Sequence, residues 1–277
     1  MLYNQDSVIV RQFKIERSDV KRKVIYHFSD VHLTEQDALS DEAERKRSDE
    51  LTSAWERVRK DFALYHGESY EDFQIISAKE HLKRLVDRSM DGDALVMTGD
   101  IIDFNGGANV RAFDEIFSAF DKPFISVCGN HEDGKALPDG FLFSKTKEGT
   151  QVIEFDDLLI FGIDDSKGFI TKEQNERFVE LLSSGKPIIV AMHIPLLTDG
   201  NKEKLSILDE YFYLNNSKID CETERFIKLL KENSNQLAAV FSGHLHFGNE
   251  SEIESGLTQY VASQGILGNI NKCIIGV

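Results

Sequence analysis

Oxygen and nitrogen donors gather in five short blocks of this 277-residue chain. They are Asp30-Val31-His32, Gly99-Asp100-Ile101-Ile102-Asp103, Gly129-Asn130-His131-Glu132, His193, and Gly243-His244-Leu245-His246. Together they hold five of the eight histidines and no cysteine. Imidazole and carboxylate without thiolate form a donor set suited to Mn, Fe or Zn, and unlike the all-oxygen cages of Ca or Mg. A lone DxH or HxH arises often by chance, so the weight lies in the set. Each block follows an apolar run, and Gly99, Gly129 and Gly243 stand where a backbone must turn sharply or approach something closely.

The runs that carry the blocks read as strands. VIYHFS (24–29), ALVMT (94–98), FISVC (124–128), IIVAM (188–192) and LAAVF (237–241) are short, apolar and bounded by turn residues. VIVRQFKI (8–15) alternates as a further strand. Two strands are expected around 151–163 after a Glu148-Gly149 turn, and short strands joined by glycine turns over 250–277. Helical spacing marks Leu51, Trp55, Val58, Phe62 and Tyr65, with Gly67 as a stop, then a helix from about 73 to 89. Further helices are expected at Val110–Phe120, at Thr171–Ser184 behind a Thr171/Gln174 capping box, and at 222–234. Strands alternating with helices predict an α/β protein, sheets covered on both faces and ligands at the carboxyl ends of strands. One domain should span 1–277. Residues 34–92 form a partly inserted helical segment that could cap the site, buttress it or face another subunit.

An apolar content of 41% suits a globular protein. A net charge of −16 works against nucleic-acid partners and anionic membranes. No stretch approaches the roughly 18 apolar residues of a membrane span, and the first 23 residues lack the apolar core of a secretory signal. Three widely spaced cysteines, Cys128, Cys221 and Cys273, fit a reducing, cytoplasmic location. Cys128, inside an apolar run, is expected to be a small core residue.

In the order DxH, GDxxD, GNHE, H and GHxH, the blocks resemble the calcineurin-like metallophosphoesterase superfamily. The likeness runs from Asp30 to His246 and covers 34–92 only by position. It implies a four-layer αββα sandwich of two mixed β-sheets flanked by helices, with two divalent metal ions (Mn, Fe or Zn) at one edge. Asp30, His32, Asp100 and His246 would hold the first ion. Asp100, Asn130, His193 and His244 would hold the second, with Asp100 bridging. A hydroxide shared by the ions would attack phosphorus, and His131, paired with Asp103, would act as general acid. Glu132 is expected to support the site without touching metal. Within the His244/His246 pair, Gly243 is expected to break the strand so that the two imidazoles need not diverge.

The resemblance also bears on the substrate, a small phosphoester. Phosphoprotein phosphatases of the superfamily carry arginines where this chain has Phe104 and Cys128, and purple acid phosphatases place a tyrosine ligand where it has Asp103. The pattern is similar to bacterial phosphodiesterases of the cyclic-nucleotide type. A phosphodiester such as a cyclic nucleotide is therefore the favoured substrate, met by Asn130, His131 and Phe104. A phosphomonoesterase or nucleotidase using the same residues is the alternative. A non-catalytic scaffold would be expected to lack ligands or the acid, and none is missing here. Tyr211-Phe212-Tyr213 could wall the substrate or pack beneath the rim, the latter being preferred. His27, His66 and His81 are assigned no chemistry.

Overall fold

Side chains alternate along each central strand, and the alternation sorts them onto two faces. In β2 (Lys23–Phe28) every residue is buried. Ile25 turns to one side, while Tyr26 and Phe28 turn to the other. In β3 (Ala94–Thr98), also wholly buried, Val96 opposes Leu95 and Met97 in the same way. A strand apolar on both faces needs a cover on each side, and the chain supplies one with a second sheet and the other with helices. The computed structural model describes residues 8–65, 76–132, 149–206, 208 and 210–277.

The first sheet adds β1 (Ile9–Ile15), β4 (Phe124–Val127) and β11 (Asn269–Ile275) to β2 and β3, in the order β1-β11-β2-β3-β4. β2, β3 and β4 run parallel, while β11 is antiparallel to β2 and parallel to β1. The second sheet has the order β5-β6-β7-β8-β10-β9. Its strands are β5 (Thr150–Glu154), β6 (Leu159–Ile163), β7 (Ile188–Ala191), β8 (Leu237–Ser242), β9 (Asn249–Glu254) and β10 (Leu257–Val261). β6, β7, β8 and β10 are parallel, and the outer pairings β5/β6 and β10/β9 are antiparallel.

Three apolar layers hold these sheets and their helices together. Between the sheets lie Ile25, Val96, Ile125, Ile160, Ile189, Ala239, Phe241 and Cys273. Outside the first sheet, Leu82 and Leu85 of α2 (Ala78–Ser89) and Phe113 of α3 (Gly107–Phe117) pack on Tyr26, Leu95 and Met97. Outside the second, Phe178 of α4 (Lys172–Leu182) and Phe226 of α6 (Cys221–Glu232) pack on Phe161 and Val190. The result is the αββα sandwich of two mixed sheets. The capping box closes α4, with Thr171 accepting from the Gln174 N–H and Gln174 accepting from the Thr171 N–H.

Two helices need separate mention. α1 (Glu42–Tyr65) starts after the loop that leaves β2, and a one-turn α5 (Lys202–Leu205) follows β7. Within the 34–92 segment α2 is part of the core layer, whereas α1 runs alongside the sheet end. The expected starts and stops at 73–75, Gly67 and Glu148 lie outside the described residues, as does His66. Among the described residues no helix is long and apolar enough to cross a membrane.

Candidate metal centre

All five blocks meet at one edge, because the loops leaving the parallel strands of both sheets stay hydrogen-bonded beyond the strands. The N–H groups of Asp30, Val31, His32 and Leu33 reach the carbonyls of Gly99, Asp100, Asp100 and Ile101. The Gly243 N–H reaches the His193 carbonyl, and the Ile266 N–H reaches that of Asp30. Two buried carboxylates lock the loops from behind. Glu132 accepts the N–H groups of Gly129, Asp100, Ile101 and Ile102 at 2.6–3.0 Å. Asp165 accepts those of His193 and Ile194 at 2.7 and 2.8 Å. Burial pushes both carboxyls up to about 7, for Glu132 with help from the Asp100 charge.

The three glycines act by close approach. A Cβ on Gly129 would collide with Asp100 Oδ1, and one on Gly99 would stand 2.5 Å from His193 Nδ1. A Cβ on Gly243 would collide with Ser29 Oγ. β8 ends at Ser242, immediately before Gly243, as expected of a strand break there. The glycine has no positive φ; His244 and His246 take the left-handed conformation themselves, at φ 70° and 55°. That backbone, not the glycine, turns both imidazoles inward.

Asp30, His32, Asp100 and His246 bring one donor atom each to a common point, and Asp100, His193 and His244 do so beside it. His32 Nε2 and His246 Nε2 lie 3.1 Å apart, and Asp30 Oδ1 is 3.3 Å from the latter. His193 Nε2 lies 3.0 Å from Asn130 Oδ1 and 3.4 Å from Asp100 Oδ2. That same Asp100 oxygen faces His32 Nε2 at 4.0 Å, so it stands between the two groups. Each carboxylate gives one oxygen to the backbone: Asp30 Oδ2 accepts from His244 N–H and Asp100 Oδ1 from His131 N–H. The imidazoles are similarly fixed. His193 Nδ1 meets the Thr98 carbonyl at 2.7 Å and His32 Nδ1 meets Asp103 at 2.9 Å, which leaves each Nε2 facing the cluster.

Whether divalent ions fit here can be judged from atoms without a partner. Asp30 Oδ1 and His244 Nε2 are buried and make no hydrogen bond, which is costly unless something else satisfies them. Both point into the donor clusters, and the donor set is the nitrogen-and-oxygen one read from the sequence. The residues fit two ions sharing Asp100. The electrostatics agree. Burial alone would raise Asp30 and Asp100, yet the neighbouring histidines hold both below the usual carboxylate range. Against its own burial, His193 is pushed up to about 10 by Asp100, whereas burial and the His193 charge push His244 down to about 3.

Beside the first cluster, Asp103 Oδ1 is shared by His131 Nδ1 at 2.7 Å and His32 Nδ1 at 2.9 Å. Phe104 is half-buried with its ring close to Gly106. Trp55 and Phe212 lie against ligand imidazoles, with ring centroids 4.1 Å from that of His32 and 5.2 Å from that of His244. Phe212 and Tyr213 also pack on Leu205, Leu245 and Val261; the Tyr211 side chain lies outside the described residues. His27 and His81 are buried away from the cluster, and Cys128 is a core residue. Neither Trp55 nor Asp165 is marked as a site residue by the sequence. Asp165 had a signal, since LIFGI is one more apolar strand followed by acids.

A family model for calcineurin-like phosphoesterases matches residues 23–248. No curated protein sequence matches the chain. Among solved structures, a dimetal phosphatase from Danio rerio superposes with a TM-score of 0.53 at 12% identity, covering 88% of each chain. A protein of Thermus thermophilus gives 0.50 at 13%, covering 90% of this chain and 91% of its own. A purple acid phosphatase from yellow lupin seeds also gives 0.50 at 13%, covering 90% of this chain and 44% of its own. These likenesses share the fold, and the family match spans every one of the five blocks: the chain belongs to the calcineurin-like phosphoesterases, metal-dependent hydrolases of phosphoric esters.

Proposed function

We propose that this protein hydrolyses a phosphodiester such as a cyclic nucleotide, using two divalent ions and His131 as general acid. The observation that carries the reading is the shared Asp100 carboxylate between two donor groups with the His131–Asp103 pair alongside. Asp30, His32, Asp100 and His246 hold the first ion, and Asp100, Asn130, His193 and His244 the second. When bound, the ions supply Lewis-acid polarisation of the phosphoryl oxygens and lower the pKa of the attacking water, with Mn, Fe or Zn suited to the donors.

The chain's own residues do the rest. Partial burial would lower the His131 pKa, but the Asp103 hydrogen bond and the Asp100 charge outweigh it and push it up to about 9. With Nδ1 held by Asp103, the Nε2 proton is the one available, and it passes to the leaving oxygen as the P–O bond breaks. Among the described residues, every ion pair to Asp30, Asp100 and Asp103 comes from histidine, and Phe104 and Cys128 stand where phosphoprotein phosphatases of the superfamily carry arginines. That favours a monoanionic diester.

Two measurements on the metal-loaded enzyme test this. On paired mono- and diesters, including cyclic and linear nucleotides, diesters should turn over faster; a preference above roughly tenfold for monoesters would overturn the substrate assignment. His131→Ala should keep its metals but lose about 10²–10⁴ in rate on alkyl esters. It should lose far less on a p-nitrophenyl ester, whose leaving group barely needs a proton. Equal losses on both would remove His131 from the acid role.

A further inference from the structure

Trp55 is the only tryptophan of the chain, and α1 lays its ring over two imidazoles of the first donor group. Its centroid is 4.1 Å from that of His32, with the planes tilted by 32°, and 5.5 Å from that of His246, tilted by 39°. On its other side the indole packs against the core layer beneath α2 and α3. The helix that carries it is fixed by bonds that touch no donor of the cluster. Ser48 Oγ donates to the Thr34 carbonyl, the Thr34 and Thr52 hydroxyls meet at 2.7 Å, and Glu44 accepts the Ala108 N–H at 3.0 Å. Arg59, buried, donates to the Ile76 carbonyl.

His32 and His246 are anchored unequally. The His32 ring is held at Nδ1 by Asp103 and is fully buried. His246 sits on a left-handed backbone with its side chain 31% exposed. The indole is thus a common wall that keeps both Nε2 atoms pointing at one place. The second donor group has a separate aromatic neighbour, Phe212, which makes it an internal control.

We propose that Trp55 is a positioning residue for the first metal ion, clamping His32 and His246 in convergence and coupling occupancy of that site to the docking of α1. An imidazole that donates its Nε2 lone pair to a dication loses electron density from its ring. An indole face carries negative potential and favours a positively polarised group within about 6 Å. The stacking is therefore tighter with the ion than without it, and by linkage the indole raises the affinity for that ion. Groups that orient metal ligands are worth about 10–100-fold in metal affinity, and Trp55 should fall in that range.

The inference rests on the two-ion reading, and one experiment separates their failures. Mn²⁺ is titrated calorimetrically into metal-free, full-length wild type, Trp55→Leu and Trp55→Phe, with indole fluorescence followed in the wild type. Wild type should take up two ions, and the fluorescence should change on one step only. Trp55→Leu should bind one ion as wild type does and the other about 10–100-fold more weakly, while Trp55→Phe, which keeps an aromatic face, should recover most of the loss. A Trp55→Leu isotherm superimposable on wild type, or fluorescence silent through both steps, would overturn the role of Trp55. Uptake of fewer than two ions by wild type would sink the two-ion reading instead, and Trp55 would then be judged on whether Trp55→Leu weakens the single step.

Discussion

Five non-glycine residues take positive φ among the described residues: Asp30, His32, Asp100, His244 and His246, at 52–70°. Every one is a proposed ligand. Left-handed backbone costs a residue with a Cβ about 1–2 kcal/mol, and such strain collects where function over-determines it. Here the conformation aims side chains of adjacent blocks at one point, which an extended strand would send to alternate faces. The strain should be measurable once the metal is out of the comparison. With chelator present, His246→Gly should exceed His246→Ala in unfolding free energy by about 1 kcal/mol, because alanine keeps the penalty and glycine loses it. Identical urea midpoints for the two variants would mean that the backbone at 246 is relaxed. In metal titrations both variants should lose the first ion and keep the second.

At the scale of elements, the loops are held in place by Glu132, whose four N–H donors come from the ends of β3 and β4. Glu132→Leu would leave those buried donors without an acceptor, and should destabilise the metal-free protein by more than about 3 kcal/mol in urea unfolding. Glu132→Gln, which keeps one acceptor oxygen, should cost clearly less. A small effect from the leucine variant would show that the loops hold themselves. The sequence disclosed the blocks and the strands before them because an apolar run that stops at Gly-Asp, Gly-Asn or Gly-His is visible locally. Trp55 was not legible as a site residue. It shares helical spacing with Leu51 and Val58, and nothing in that spacing says which part of the apolar face covers a neighbour's imidazole. Nor does the chain announce that β11 inserts between β1 and β2, since strand order depends on long-range pairing.

For the whole molecule, histidines of two kinds shape the response to pH. His27 is fully buried, bonded to Thr98 Oγ1 and Asn271, and burial lowers its pKa to about 3; burial also takes His81 to about 4. Their folded values lie below the unfolded value near 6.5, so the unfolded chain binds more protons and stability falls as pH drops below about 6.5. His131 works in the opposite sense: with a folded value of about 9, its contribution is complete below about 6.5 and is lost as pH rises through 9. These three histidines by themselves place the optimum of the metal-free protein near pH 6.5. His27→Gln should flatten the acid limb by up to about 1.4 kcal/mol per pH unit, read from urea midpoints between pH 6.5 and 4.5, and an unchanged slope would show that His27 titrates normally. The position of β11 has a consequence for synthesis. The donors Asp30 and His246 lie more than 200 residues apart along the sequence, and among the described residues β1 pairs in its sheet with β11 alone. A nascent chain can fold β2, β3 and β4 as they emerge from the ribosome, but the first sheet stays in two pieces until residue 275 is out. The proposed first ion site, which needs both Asp30 and His246, would be completed only after residue 246 has been made.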